Sequence, residues 1–213
     1  MADVNILLVV AVVMLGVTVQ LGDGCYCQLR HPQEHYCTAE FVILAGVSDK
    51  DIIKKGGMPI EIHYKIKVKH VFKSTPEYEN ATKTVVISPA SPITCGVVDL
   101  QNGANYLITG FINDGNLRTT LCDWVKPYKH LTTVQKNGLK FKYESGCQCE
   151  FAFCHEGNCF QQYDNATCEW ELGNMFDCYH DDGICYYDGQ DCAWRNTKQF
   201  QNCEQKLLNH IYH

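Results

Sequence analysis

Pro59–Phe72 reads PIEIHYKIKVKHVF, and its alternation decides the class of fold. Ile60, Ile62, Tyr64, Ile66 and Val68 fall on one face, while Glu61, His63, Lys65, Lys67 and Lys69 take the other. That is a strand of period two with one face buried. At His70–Val71 the alternation slips, which predicts a bulge. Further β-rich runs follow: TVVI from Thr84, CGVV from Cys95, YLITGFI from Tyr106 and LRTTLC from Leu117. The last two flank Asn113-Asp114-Gly115-Asn116, a strong hairpin signal. Five or six strands with few helices between them favour a small barrel over a βαβ sheet.

Helical patterning is expected in two places. Thr132 and Gln135 form a capping box ahead of Val134, Leu139 and Tyr143, and a second patch runs from Glu34 to Ile43 around Cys37. After Cys147 the texture changes. Eight cysteines crowd into Cys149–Cys203 among Gly, Asp, Asn and aromatic residues. A segment of that size needs staples to hold a core. The division predicted is 1–24 as a cleaved leader, 25–147 as a first domain and 148–213 as a second.

The apolar run Ile6–Val19 is too short and wrongly flanked for a membrane span, and Gly22 and Gly24 suit a leader cleavage site. Cys25 then becomes the first residue. No other run is long enough to span a bilayer, so a secreted product without membrane insertion is expected. In that oxidising compartment the 14 cysteines read as seven disulfides; CxC spacing at Cys25/Cys27 and Cys147/Cys149 argues against zinc ribbons. Sequons at Asn80 and Asn165 suit glycosylated surface loops. Loss of the leader moves the formal charge from −6 to −4, which disfavours a nucleic-acid partner. Lys65, Lys67 and Lys69 leave a heparin-like partner open, with a solvated face as the simpler reading.

No catalytic constellation is present. His31 and His35 in HPQEH lack the glutamate of HExxH, and GxSxG, P-loop and GxGxxG motifs are missing. An even cysteine set in a secreted chain is expected to be oxidised, leaving no nucleophile. The acidic stretch around Asp177, Asp181 and Asp182 lacks EF-hand spacing and reads as exposed loop.

Several stretches together resemble the tissue inhibitors of metalloproteinases. These are CYCQLRHPQEHYC from Cys25, PASPITCGV from Pro89, YLITGF…LRTTLCDWVKPYKHLTTVQKNGL…YESGCQC, and DGQDCAWR from Asp188. The resemblance implies a netrin-like, OB-type five-stranded barrel followed by a small disulfide-rich module. It implies the pairs Cys25–Cys95, Cys27–Cys122, Cys37–Cys147, Cys149–Cys192, Cys154–Cys159 and Cys168–Cys185. Cys178 and Cys203 lie outside the usual twelve-cysteine pattern and are paired by elimination.

It also implies a function: inhibition of secreted or membrane-anchored zinc endopeptidases in one-to-one complexes of a monomer. The contacts would come from Cys25, Tyr26, Cys27, Gln28 and Leu29, and from Ser91, Pro92, Ile93, Thr94, Cys95 and Gly96. A catalytic zinc keeps one position for water. The α-amino nitrogen and carbonyl oxygen of Cys25 could take that position as a five-membered chelate, so zinc is bound only in trans and the chain needs no cofactor of its own. Tyr26 departs from the family's usual Thr or Ser. The tail EQKLLNHIYH is not acidic, so a zymogen-docking role does not carry over. The alternatives are a non-inhibitory adaptor for matrix or cell-surface partners, whose module would sit inside a longer chain without a free amine, and an enzyme, for which no turnover is expected.

Overall fold

The computed structural model describes residues 24–155, 158–159, 166–171, 173 and 175–211. Residues 1–23 of the expected leader and Asn165 lie outside the described residues. Strand β1 (Phe41–Lys55) turns through Gly56 and Gly57, at φ 58° and 82°, into antiparallel β2 (Met58–Lys73). Positive φ at both loop positions is what a two-residue hairpin needs, and glycine adopts it without a Cβ clash. After a short helix α2 (Pro76–Asn80), β3 (Thr82–Pro89) pairs with β2. Strands β4 (Asn105–Asn113) and β5 (Asn116–Arg118) form a hairpin across Asp114 and Gly115, at φ 49° and 68°. β5 runs parallel to β3, and β4 pairs with β1. The sheet therefore closes as the ring β1-β2-β3-β5-β4-β1, with β6 (Val125–Pro127) added on β4.

The inward face of β2 supplies Ile62, Tyr64 and Ile66 to a core with Phe41, Ile43, Ile108 and Leu117. Each such side chain contributes roughly 1.5–3 kcal/mol on burial. Ile60 stays exposed because it lies toward the hairpin tip. The expected bulge is a double one. The register passes from Val42↔Lys73 to Ile43↔Val71 and from Leu44↔His70 to Ala45↔Val68, leaving Phe72 and Lys69 as the extra residues.

Three local expectations are corrected. The helix α1 spans only Pro32–Thr38: His31 caps it, Pro32 fits its first turn, and β1 begins at Phe41. Phe41, Val42 and Ile43 are all fully buried, so this strand start lacks the alternation that would reveal it. CGVV is no strand, since a 3₁₀ turn over Pro92–Thr94 delivers a left-handed Cys95. Asp177, Asp181 and Asp182 sit on a helix, α4 (Phe176–Asp182), and not on a loop.

The outer face of β1 and β4 is covered by a second cluster. Tyr36 of α1 packs there with Val42, Leu107, Trp124, Leu131, Val134 and Tyr143. Helix α3 (Thr133–Asn137) carries the expected capping box and runs into a π-helical turn, Gly138–Lys142. Beyond Cys147, β7 (Glu150–His155) pairs with β8 (Asn158–Cys159) and β9 (Thr167–Glu171). After α4, β10 (Cys185–Tyr187) pairs with β11 (Cys192–Trp194), and α5 (Lys198–Ile211) ends the described chain. The buried cluster in this part is built on Cys149, Cys168, Cys185, Cys192 and Phe151.

The HPQ stretch joins the two parts. Gln33 is fully buried; its Nε2 donates to the carbonyls of Tyr143 (3.1 Å) and Cys185 (2.9 Å), and its Oε1 accepts the Cys185 N–H at 2.9 Å. His31 Nδ1 accepts the Gln33 N–H, so Nε2 carries the proton and donates to Tyr179 O at 2.8 Å. The ring stacks on Phe151 at 5.0 Å and meets Trp170 and Trp194 edge-on. Burial lowers the His31 pKa to about 3, and burial lowers His35 to about 4. These histidines are structural.

Candidate functional site

Gly24–His31 forms no helix or strand, yet two bridges fix its course. Cys25 is bonded to Cys95 and Cys27 to Cys122, with Cα–Cα distances of 4.9 and 5.0 Å. The bridges are packed against each other: Cys25 Sγ lies 3.7 Å from Cys27 Sγ and 4.0 Å from Cys122 Sγ. The remaining five pairs are Cys37–Cys147, Cys149–Cys192, Cys154–Cys159, Cys168–Cys185 and Cys178–Cys203. All seven coincide with the pairs named from the sequence. The sulfur groups that come close enough to hold a metal ion are thereby oxidised and offer no thiolate.

The anchor at Cys95 is itself held by a knot of backbone contacts. Ser91 O accepts the N–H groups of Thr94 (3.1 Å) and Gly96 (2.8 Å), and Ser91 Oγ accepts that of Ile93 at 3.2 Å. Cys95 sits at φ 60°, a left-handed conformation that costs a non-glycine residue on the order of 1–3 kcal/mol. Gly96 is obligatory for a different reason, since a Cβ there would lie 2.0 Å from Pro89 O. On the other side Cys95 O accepts the Leu121 N–H at 2.8 Å. Asp123 Oδ2 accepts both Thr120 N–H and Thr120 Oγ1–H at 2.8 Å, which shapes the turn into Cys122. Burial raises the pKa of this carboxyl.

The side chains on this anchored backbone face outward. Tyr26 is 90% exposed and Ile93 72%, with Gln28, Leu29, Pro92 and Thr94 also exposed. The segments Cys25–Leu29 and Ser91–Gly96 are thus one surface, joined by a covalent bond. Leu121 belongs with them: it is exposed and hydrogen-bonded to Cys95, and the sequence reading missed it. Its place beside Cys122 was the available signal. Exposed apolar side chains on a rigid frame make a contact surface for another macromolecule. Asn80 ends α2 in an exposed position, with Nδ2 donating to Pro76 O.

A closed small sheet, an amino-terminal segment stapled to its rim and a cystine-built second part define a disulfide-framed binding protein. The tissue inhibitor of metalloproteinase family model matches residues 23–194, and the chain belongs to that family. It is 34% identical over 160 residues to metalloproteinase inhibitor 2 of Homo sapiens, covering 72% of this chain and 71% of that one. It is 31% identical over 151 residues to metalloproteinase inhibitor 3 of Scyliorhinus torazame, covering 71% and 69%. With metalloproteinase inhibitor 4 of Mus musculus the identity is 28% over 186 residues, covering 79% and 82%.

Proposed function

We propose that this chain is a secreted, non-enzymatic inhibitor of zinc metalloendopeptidases, and that Cys25 is the group that blocks them. After removal of residues 1–24, the α-amino nitrogen and carbonyl oxygen of Cys25 chelate the target's catalytic zinc and displace its water. The observation that supports this most is the double staple, Cys25–Cys95 and Cys27–Cys122, beneath an outward-facing Tyr26. A terminus held this way has little left to order on binding, which saves ~0.5–1.5 kcal/mol per immobilised side chain. The amine binds metal only when neutral, and its unperturbed pKa of ~7.7–8.0 permits that near neutral pH.

The partners are secreted or membrane-anchored metalloproteases, bound one to one by a monomer, with extracellular matrix as a second partner. Cys25–Leu29 and Ser91–Gly96 make the contact. Tyr26 enters the specificity pocket beside the zinc, where its phenol rejects shallow pockets and tolerates deep ones. Mass spectrometry of the secreted protein should show a chain beginning at Cys25; a start upstream would favour an adaptor role. Inhibition constants of wild type and Tyr26→Thr across a protease panel should diverge, most for shallow-pocket enzymes. An unchanged selectivity profile refutes the role given to Tyr26.

A further inference from the structure

The turn over residues 119–124 is pinned to the sheet at both ends. Thr119 is fully buried; its N–H donates to Ile87 O at 3.0 Å and its hydroxyl to Thr109 O at 2.9 Å. At the far end Trp124 N–H donates to Thr109 Oγ1 at 2.8 Å, and Thr109 N–H donates to Trp124 O at 3.2 Å. These four bonds tie the flanks to β3 and β4 and use no atom of residues 120–123.

Between the flanks the order comes from one carboxylate. Asp123 Oδ2 accepts the Thr120 N–H and the Thr120 hydroxyl, and Thr120 Oγ1 in turn accepts the Cys122 N–H at 3.2 Å. Asp123 N–H closes the turn on Thr120 O at 3.1 Å. Hydrogen bonds to a carboxylate are roughly twice as strong as neutral ones. The two residues held in this way are the ones that reach the amino-terminal segment. Leu121 N–H donates to Cys95 O at 2.8 Å; Cys122 is bonded to Cys27, and its Sγ lies 3.8 Å from Cys95 Sγ. A cystine fixes how far apart two backbones lie, while their mutual orientation depends on how firmly each is held. A working group stays in place only when the residues beneath it are themselves locked.

We propose that Asp123 is a positioning residue for inhibition: its carboxylate sets the turn over residues 120–122 and, through Leu121 and Cys122, the course of residues 25–27. This rests on the reading of Cys25 as the inhibitory group. Removing the carboxylate loosens the tip of the turn and leaves its flanks, and the sheet, in place. The lock needs an oxygen acceptor at residue 123 rather than a negative charge in the region. Asp99 separates the two requirements, because it lines the same cleft of about 550 Å³ as Asp123.

The test measures inhibition constants of the full secreted chain against one metalloprotease, together with hydrogen exchange at the Leu121 amide. Asp123→Ala should inhibit more weakly by about tenfold or more, the scale of one unsatisfied donor. Its Leu121 amide should exchange faster, with circular dichroism reporting an intact sheet. Asp123→Asn, whose side-chain oxygen can accept the same two bonds, should stay within about threefold of wild type. Asp99→Ala should match wild type. Thr120→Val removes the hydroxyl without touching the carboxylate; it should weaken inhibition too, and less than additively with Asp123→Ala. Wild-type potency and exchange in Asp123→Ala would overturn the proposal, as would full additivity with Thr120→Val. Equal losses in Asp123→Ala and either Asp123→Asn or Asp99→Ala would also overturn it, assigning the effect to charge. If the wild type inhibits no metalloprotease, the reading of Cys25 fails, and the Leu121 exchange rates alone decide the role of Asp123.

Discussion

The parts before and after Cys147 are held together by different physics. The first closes a sheet around Phe41, Ile43, Ile62, Tyr64, Ile108 and Leu117, a buried cluster that contains no cysteine. Of its three bridges, two converge on the amino-terminal segment and fix where Cys25 points. The second part has four bridges over far fewer residues, and its buried cluster is mostly cystine sulfur. Disulfides thus fix an exposed surface in one region and build much of the buried cluster in the other.

That contrast can be broken most severely in the second part. Cys149→Ala/Cys192→Ala removes a bridge from the buried cluster and should cost ~2–5 kcal/mol. Hydrogen exchange should show β7–β11 opening while β1–β5 stays protected. Uniform opening of both parts would contradict the division of labour. Gly96→Ala is the counterpart in the first part. Its Cβ cannot fit against Pro89 O, so the Ser91–Cys95 turn must shift. Inhibition should fall by two or more orders of magnitude, on the scale that a ~1 Å misplacement carries, with the core still folded by circular dichroism.

The junction supplies a milder test. Gln33→Ala strands the Cys185 N–H in a buried site and should cost about 1–3 kcal/mol. Two thermal transitions should separate where wild type shows one. Acidification should act at the same place. His31 is neutral in the fold with its pKa lowered to about 3, against 6.5 when exposed, so the unfolded state binds more protons between those values. Docking of the two parts is fully stabilised above pH 6.5 and weakens as pH falls toward 3, by about 1.4 kcal/mol per unit at most. His31→Phe should reduce that dependence to the part left by His35, whose pKa burial lowers to about 4; an unchanged slope would move its origin elsewhere.

Much of the fold was legible because β2 alternates cleanly and Asn113–Asn116 announces its turn. β1 was not, because residues 41–43 are buried on both faces and carry no period. The turn at Pro92–Thr94 hid for another reason: a left-handed Cys95 reflects the bridge and the hydrogen bonds around it, not local propensity. The Cys25–Leu29 and Ser91–Gly96 segments were named from resemblance, whereas Leu121 emerged only from its bond to Cys95 O. From the sequence His31 and His35 read only as a structural or surface pair of histidines, with the choice between the two left open. The burial of the HPQ stretch depends on partners more than a hundred residues away, which no local pattern contains.

Zinc capture as proposed requires an unblocked backbone nitrogen at residue 25. One alanine added ahead of Cys25 leaves both bridges intact but moves the amine off the carbonyl that would share its chelate. Titrated against a metalloprotease that the authentic chain inhibits, this variant should lose inhibition by at least a thousandfold, about 4 kcal/mol. Undiminished potency in the extended chain would contradict zinc capture by Cys25.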